Sequence, residues 1–453
     1  MTVHLSSCDK PLDKLDFVDG IEADFMKNNK RSREAATLSL HSADIEYSLS
    51  QLFELIQGSR TLSFTDEDGV ERAVHFGHVT FRSHSTIGRG TMVIEVQCPC
   101  RSCANGCDWK EKNPVMKLRF SSKTRASESE FLEEMEAIAK KDSKQRWPLN
   151  HLPKIYCSFD LQPRDDSLQQ NLEPIFGRVH EMRVVRGTIQ ERLEPLTSLE
   201  TAKECAQVFY NILQCHHWVW QHPKILHRDI SQGNIMVRVK DGRKCGVLND
   251  WDLASWAGDL RKVATSQYRT GTRPSMAHEQ QAHRWEGPHQ YRHDVESLFY
   301  VMVLFTFLYS KPSKAVSNPV DEQFHYENWH QFSDRELHDK KRNIMYPLTA
   351  WSPPVTPFFV HFNDWLDEIQ NRFACGFHEK ATFLLAKDAA ERRPRRQSRP
   401  YNLQSYKDDE LGGHITYKTM VQIMHRFNEE ELSTHDGEAQ QYLDSQEIDI
   451  DSD

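Results

Sequence analysis

The sequence predicts an α+β chain of two lobes, the first rich in strands and the second mostly helical, on three observations. Short apolar runs broken by turn residues crowd the stretch from Arg60 to Phe120. Beyond about Arg186 apolar residues recur at helical spacing over long stretches, among them Leu199–Trp220. Strands followed by helices, without regular alternation, is the order of a segregated α+β architecture. The 453 residues suffice for one large two-lobed unit with extensions. Composition divides the chain into an amino-terminal extension (1–59), a strand-rich lobe (60–186), a helical lobe (187–428) and an acidic tail (429–453).

In the extension only Ala43–Ile56 carries helical spacing. Arg60–Phe64, the turn-like Asp66-Glu67-Asp68-Gly69 and Glu71–Phe81 read as a hairpin. Ser85–Val96 reads as strand, glycine turn, strand, and Val115–Phe120 as another strand. Ser127–Lys140 has the acidic start that a helix dipole favours. In the second lobe, Leu199–Trp220 is expected as an amphipathic helix, with short strands around Leu226, Val237 and Val247. Lys240-Asp241-Gly242-Arg243 is a hairpin turn between the last two. Arg292–Tyr309 and Thr356–Phe373 are further helices, and the apolar run Val301–Tyr309 is expected to be buried. The segment from Glu429 to Asp453 holds ten acidic residues and no Lys or Arg, and reads as disordered.

Charge narrows the class of partner. The formal net charge is −9, but without the tail 57 basic residues face 56 acidic ones. A nearly neutral body argues against nucleic acid or an anionic membrane as partner. No run of about eighteen apolar residues suggests a membrane span, and the amino terminus lacks a secretory pattern. Ten cysteines without such a signal point to a reducing compartment, cytoplasmic or nuclear.

The chemistry is written most clearly in Ile225–Met236. His227-Arg228-Asp229 is followed five positions after the Asp by Asn234, with apolar segments on both sides. One short loop can aim both side chains into one cavity: Asp229 to accept the proton of an attacking hydroxyl, Asn234 to hold Mg²⁺ on phosphates. A second oxygen ligand is expected on the next strand turn, and Asp250 supplies a carboxylate suited to a hard cation. Thr270–Glu279 and then Asp294, at the head of an apolar helix, complete the order; in the fold that this order of motifs resembles, an Asp at that place caps the backbone of the 227–234 loop from within the core. Earlier, Gly88-Arg89-Gly90-Thr91-Met92-Val93 reads as a loop over the phosphates, with Gly88, Gly90, Thr91 and Val93 against the nucleotide. Lys117, between two apolar neighbours, resembles the lysine of a V-A-I-K strand, which bridges the α- and β-phosphates of ATP. Its carboxylate partner is expected in the next helix, Glu128 first, with Glu130 and Glu134 as rivals.

These motifs resemble the fungal-type protein kinase family. The resemblance rests on Gly88–Val93, His227–Ser231, Asp250–Ala254, Arg269–Thr272 and His293–Val301. It runs from about Arg82 to Tyr309, with thinner echoes at Trp329–Lys341 and Leu411–Met420. It implies a bilobed protein-kinase-like fold, ATP and Mg²⁺ as cofactors, and a protein substrate phosphorylated on serine or threonine. Asp229, Lys117, Glu128 and Arg228 would be catalytic, with Asn234 and Asp250 on the metal. Arg228 would pair a phosphate carried by Thr265, Ser266, Tyr268, Thr270 or Thr272, although Thr272 reads better as structural. Four departures keep other readings open: the Gly88–Val93 loop lacks a third glycine, Ser231 stands where a Lys is usual, Asp252 where a Gly is usual, and His278 where a Pro is usual. A binding or scaffold protein with a kinase fold, and a small-molecule kinase, are the alternatives. The long stretch from Asp250 to Glu279 favours a polypeptide substrate over a small molecule.

Two clusters stand outside this scheme. Cys98, Cys100, Cys103 and Cys107 lie close enough to hold Zn²⁺, but the spacing lacks paired C-x₂-C knuckles and reads more plainly as a loop. Arg392, Arg393, Arg395, Arg396 and Arg399 suit an import signal, a partner for Glu279, or a solvated linker.

Overall fold

Alternation of apolar and polar residues builds the first part. The computed structural model describes residues 37–39, 61–82, 90–99, 107, 109–161, 182–257, 271–283, 285–347, 350–392 and 406–450. In β2 (Thr61–Thr65) Leu62 and Phe64 turn inward, and β3 (Glu71–Arg82) pairs with it antiparallel through the expected hairpin. Gly69 takes φ +77° in that turn, and Asp66 Oδ1 accepts from Val70 N at 2.8 Å. β4 (Thr91–Gln97), β5 (Val115–Ser122), β6 (Ile155–Leu161) and β7 (Arg183–Gln190) continue one sheet in the order β2-β3-β4-β5-β7-β6. β1 (Thr37–Ser39), from the extension, joins its edge parallel to β2. The strand-rich part therefore runs past the boundary expected at 186. Arg186 lies mid-strand, because Val184–Gln190 is buried almost without a break and pairs on both sides.

α1 (Glu128–Lys141) follows β5 and starts on a capping box, in which Ser127 and Glu130 satisfy each other's backbone N–H. After β7 and the two-residue β8 (Glu194–Pro195), α2 (Ala202–Gln221) opens on a second capping box, Thr201 with Glu204. This helix was expected to be amphipathic, yet it is buried nearly all round from Cys205 to Val219. Its polar residues face internal partners: Asn211 Oδ1 accepts from Gly246 N, and His216 reaches Asp294. A Cβ on Gly246 would stand 2.8 Å from the Val208 carbonyl oxygen, so glycine is what lets the strand Arg243–Leu248 lie directly on α2.

β9 (Ile225–Leu226), β10 (Ile235–Lys240), β11 (Arg243–Leu248) and β12 (Ser255–Trp256) form two small antiparallel patches, β10-β11 with β8 and β9 with β12. Asp241 and Gly242, both with positive φ, make the expected β10–β11 turn. The rest is mainly helical: α3 (His278–Gln281), α4 (Tyr291–Leu308), α5 (Asp334–Met345), α6 (Phe362–Arg392) and α7 (Tyr417–Met424), with two short hairpins, Tyr309–Lys311 with Lys314–Ala315 and Arg426–Phe427 with Glu430–Glu431. α4 is buried along all but its last residue, as its apolar run predicts, and forms the centre of the larger core. A separate, smaller core lies under the sheet. No helix among the described residues is long and apolar enough to cross a membrane.

The acidic tail corrects the sequence reading. Instead of disorder, α8 (Gly437–Ile450) packs beside α7, with Leu432 and Ala439 buried. Residues 433–436 run along α2, where Gln214 Oε1 accepts from His435 N at 2.8 Å and Gln207 Oε1 from Ser433 N at 2.7 Å. The tail is polar on its own, but α2 and α7 offer it matched hydrogen-bond partners that composition cannot reveal. His217 donates to Glu438, and this bond, with one from Tyr442, holds the Glu438 pKa down at about 2 against the opposing effect of burial. A carboxylate depressed in the folded state stabilises above its ordinary pKa, and that stability is lost as pH falls through the folded value. Amide exchange in residues 437–445 is thus expected to quicken below about pH 4.5, and Glu438→Gln to remove that dependence; an unchanged dependence would rule out this anchor.

Candidate active site

β5 places two cations on one face. Side chains alternate along a strand, so Lys117 and Arg119 point the same way while Met116 and Leu118 enter the sheet's own core. Val93 on β4 lies directly opposite Lys117, and Thr91 opposite Arg119. Gly90 leads into β4 with φ +41°, and Gly88 lies outside the described residues.

Lys117 Nζ meets Glu128 Oε2 at 3.0 Å, Asp250 Oδ1 at 2.8 Å and Asp252 Oδ2 at 3.4 Å. Arg119 forms a second bridge, to Glu128 Oε2 at 2.8 Å and to Asp252 Oδ1 at 2.6 Å. The rivals of Glu128 are engaged elsewhere: Glu130 closes the Ser127 capping box, and Glu134 accepts from Trp256 Nε1 at 2.8 Å. Burial disfavours charge on Lys117, yet Asp250, Asp252 and Glu128 raise its pKa above the ordinary lysine value. Burial likewise opposes ionisation of Glu128, and Lys117 with Arg119 reverse that, lowering its pKa. Asp252 is pushed up to about 6 by burial, against the pull of Arg119 and Lys117.

Glu128, Asp250 and Asp252 present carboxylate oxygens within 4.8 Å of one another. Three carboxylates against two cations leave one negative charge, and Asp250 is the carboxylate that keeps solvent exposure, 21% against 0% for Glu128 and 4% for Asp252. A hard divalent cation fits the oxygen at Asp250 better than the enclosed ones. Asp250 itself takes φ +64°, and the turn after it is fixed by Trp251: its backbone N donates to Glu128 Oε1 at 2.9 Å and its Nε1 to Leu248 O at 2.9 Å.

The 227–234 loop is tied to that turn. His227 Nε2 donates to Asn249 O at 3.0 Å while its Nδ1 accepts from Asp229 N at 3.2 Å. One donor and one acceptor describe a neutral ring, in keeping with a pKa that burial lowers to about 4. Asn234 N δ2 donates to the Asp229 carbonyl at 2.8 Å, and Asn249 N to the Asn234 carbonyl at 2.8 Å. Asp229 Oδ1 accepts from both Thr272 N (2.7 Å) and Thr272 Oγ1 (2.8 Å). Gly271, with φ +137° and an added Cβ only 3.3 Å from Arg228 O, lets Thr272 come that close. Arg228 has φ +70°, burial lowers its pKa, and its Nε meets no hydrogen-bond partner among the described residues. Of the hydroxyls considered for phosphorylation, Thr265, Ser266, Tyr268 and Thr270 lie outside those residues.

Asp294, at 0% exposure, accepts from His227 N and Arg228 N at 3.0 Å each, and from His216 Nε2 and His289 Nε2 at 2.8 Å each. Burial alone would raise its pKa; the two imidazoles hold it well below the carboxylate range. Glu279 pairs with Arg292 at 2.6 Å and Lys380 at 2.9 Å. Arg392 pairs instead with Asp388 on the surface, and Arg393, Arg395, Arg396 and Arg399 lie outside the described residues, as do Cys100 and Cys103.

Sequence reasoning missed Arg119, the two histidines on Asp294, and Lys380. Arg119 carried a signal, since it stands two positions from Lys117 and so on the same strand face.

The model of the family described as fungal protein kinase matches residues 140–306, from the end of α1 to near the end of α4. Asp229, Asn234, Asp250 and Asp294 lie inside that stretch, while Lys117, Arg119 and Glu128 precede it. No curated protein matches the chain. A kinase family implies phosphoryl transfer, with ATP and a divalent cation in general. Over residues 140–306 the chain is similar to the fungal-type protein kinases.

Proposed function

We propose that the protein is an ATP- and Mg²⁺-dependent protein kinase of bilobed fold, acting on serine or threonine hydroxyls. The observation that carries this reading is the convergence, from distant parts of the chain, of Lys117, Glu128 and Asp250 in one ionic cluster beside the loop that bears Asp229 and Asn234. Mg²⁺, when bound, would neutralise charge on the phosphates. Asp250 and Asn234 are the residues to hold it, and Lys117 exchanges a carboxylate for the α- and β-phosphates. Glu128 and Arg119 keep Lys117 in place during that exchange. Asp229 takes the proton from the acceptor hydroxyl, and Thr272 fixes which carboxylate oxygen faces it.

A polypeptide acceptor suits the segment Gly271–Gln281, which is folded against Asp229 on one side and α5 on the other. Ser231 places no lysine beside the base, so charge on the transferring group falls to the metal and to Lys117.

The test is transfer of labelled γ-phosphate from ATP to a mixed protein acceptor, with Mg²⁺ and with a chelator. Label on protein in Mg²⁺ and its loss with chelator are the expected results. No label in either, with ATP still bound, would replace this reading by that of a nucleotide-binding scaffold.

A further inference from the structure

Lys341 is the most unusual charge in the helical part. It lies on α5 within the stripe of Leu337, Ile344 and Met345 that the helix buries, and its exposure is 0%. It forms no direct ion pair among the described residues, and Glu296 and Asp334 favour its charge from farther off. Its Nζ donates instead to Met276 O at 2.6 Å, Gln281 Oε1 at 3.0 Å and Arg273 O at 3.1 Å. The rings of Tyr300 and Trp329 flank it at 4.6 and 5.2 Å from their centroids. Burial pulls the Lys341 pKa well below the ordinary lysine value. Three acceptor oxygens nonetheless call for three N–H donors, which only the ammonium supplies, and two aromatic faces favour the cation.

Enclosing a cation without a directly paired carboxylate is unfavourable, and an apolar side chain of similar length would fill the same space at less cost. The gain has to lie in what the ammonium holds. Two of its acceptors are backbone carbonyls of the 272–276 loop, and the third, Gln281, donates in turn to Arg273 O at 2.7 Å. That loop closes on itself through Ser275 N and Met276 N, both donating to Thr272 O. Its first residue, Thr272, gives two hydrogen bonds to Asp229. A continuous chain of contacts thus runs from Lys341 to the carboxylate assigned as base.

We propose that Lys341 is a positioning residue that fixes the 272–276 loop and, through Thr272, sets the orientation of Asp229 toward the acceptor hydroxyl. The proposal rests on the kinase reading for its functional half. It rests on geometry alone for the hold on the loop. Lys341 touches neither nucleotide nor acceptor; it governs where the acceptor meets the base. Loss of the ammonium is therefore felt in acceptor use and not in nucleotide binding.

The experiment uses the full chain with Lys341→Met. Two readouts are taken: amide exchange at Thr272, Ser275 and Met276 without nucleotide, and steady-state transfer to protein acceptor with ATP affinity measured separately. Exchange is expected to rise about tenfold or more, and kcat/KM for the acceptor to fall roughly 10- to 100-fold, the scale of a misplaced reacting group. The ATP dissociation constant should stay within about twofold and thermal stability should not fall, as for exchange of a buried charge for a packed apolar chain. Gln281→Leu removes the other anchor on Arg273 O and should act in the same direction, giving an independent arm if Lys341→Met folds poorly. Faster exchange in a protein whose wild type transfers nothing would support the hold and defeat the kinase reading alone. Unchanged exchange in both variants, or a loss of ATP affinity matching the loss of acceptor use, would overturn the proposal.

Discussion

Asp229→Asn is expected to cut kcat for phosphoryl transfer by about a hundred- to ten-thousand-fold, the range of a lost general base. The substitution is informative because the site is built to tolerate it. Asp229 Oδ1 accepts from Thr272 N and Thr272 Oγ1, and an asparagine amide oxygen can accept both bonds at the same place. Loop geometry is thereby retained while the basic oxygen is removed. ATP affinity should stay within about twofold, since Lys117 and Asp250 are untouched, and thermal stability should hold. Burst and steady-state kinetics with labelled ATP measure the first, and calorimetry the last. Transfer within about threefold of the wild type would remove Asp229 from the role of base, whatever becomes of the rest of the site.

Asp294→Ala carries the largest expected effect on stability. Its carboxylate accepts two backbone N–H groups and two imidazole N–H groups at 0% exposure. Each buried donor left without an acceptor costs about 1–3 kcal/mol. Four donors make about 4–12 kcal/mol; even if half of that is relieved by rearrangement, about 2–6 kcal/mol of a native stability of about 5–15 kcal/mol is lost. The backbone of Arg228, held at φ +70°, would also lose its restraint. Chemical denaturation should show a lower midpoint, and phosphoryl transfer should fall with it because the Asp229 loop is no longer fixed. Asp294→Asn, which keeps one acceptor oxygen, should fall between the two. A loss below about 1 kcal/mol in the alanine variant would mean that the loop holds its own shape.

Much of the arrangement was legible where chemistry demands particular residues at short spacing. Asp229 with Asn234 on one loop, Asp250 on the next turn and Asp294 at the head of α4 stood out because one short segment must deliver each group. The hairpins around Gly69 and Gly242 were legible for a similar reason: positive φ selects the residue. What remained hidden depends on partners far along the chain. The burial of Arg119 and Lys341 is set by Asp252 and by the 272–276 carbonyls, which lie far from them along the chain. His216 and His289, close in space and far apart in sequence, gave no sign of sharing one carboxylate. α2 was read as amphipathic because Asn211, Gln214 and His216 are polar, though each faces the interior. The tail after Glu429 failed on the same ground, since its order is conferred by Gln207, Gln214 and His217.

That last contact bears on how the chain is made. Gln214 is synthesised 221 residues before His435, whose amide it accepts. At ribosomal rates of about 5–20 residues per second, α2 waits roughly 10–45 s for that neighbour. Until residues 433–436 are made, Gln207 and Gln214 lack the partners they hold in the folded protein. A chain cut short before residue 430 is accordingly expected to be more open to protease along α2 than the full chain.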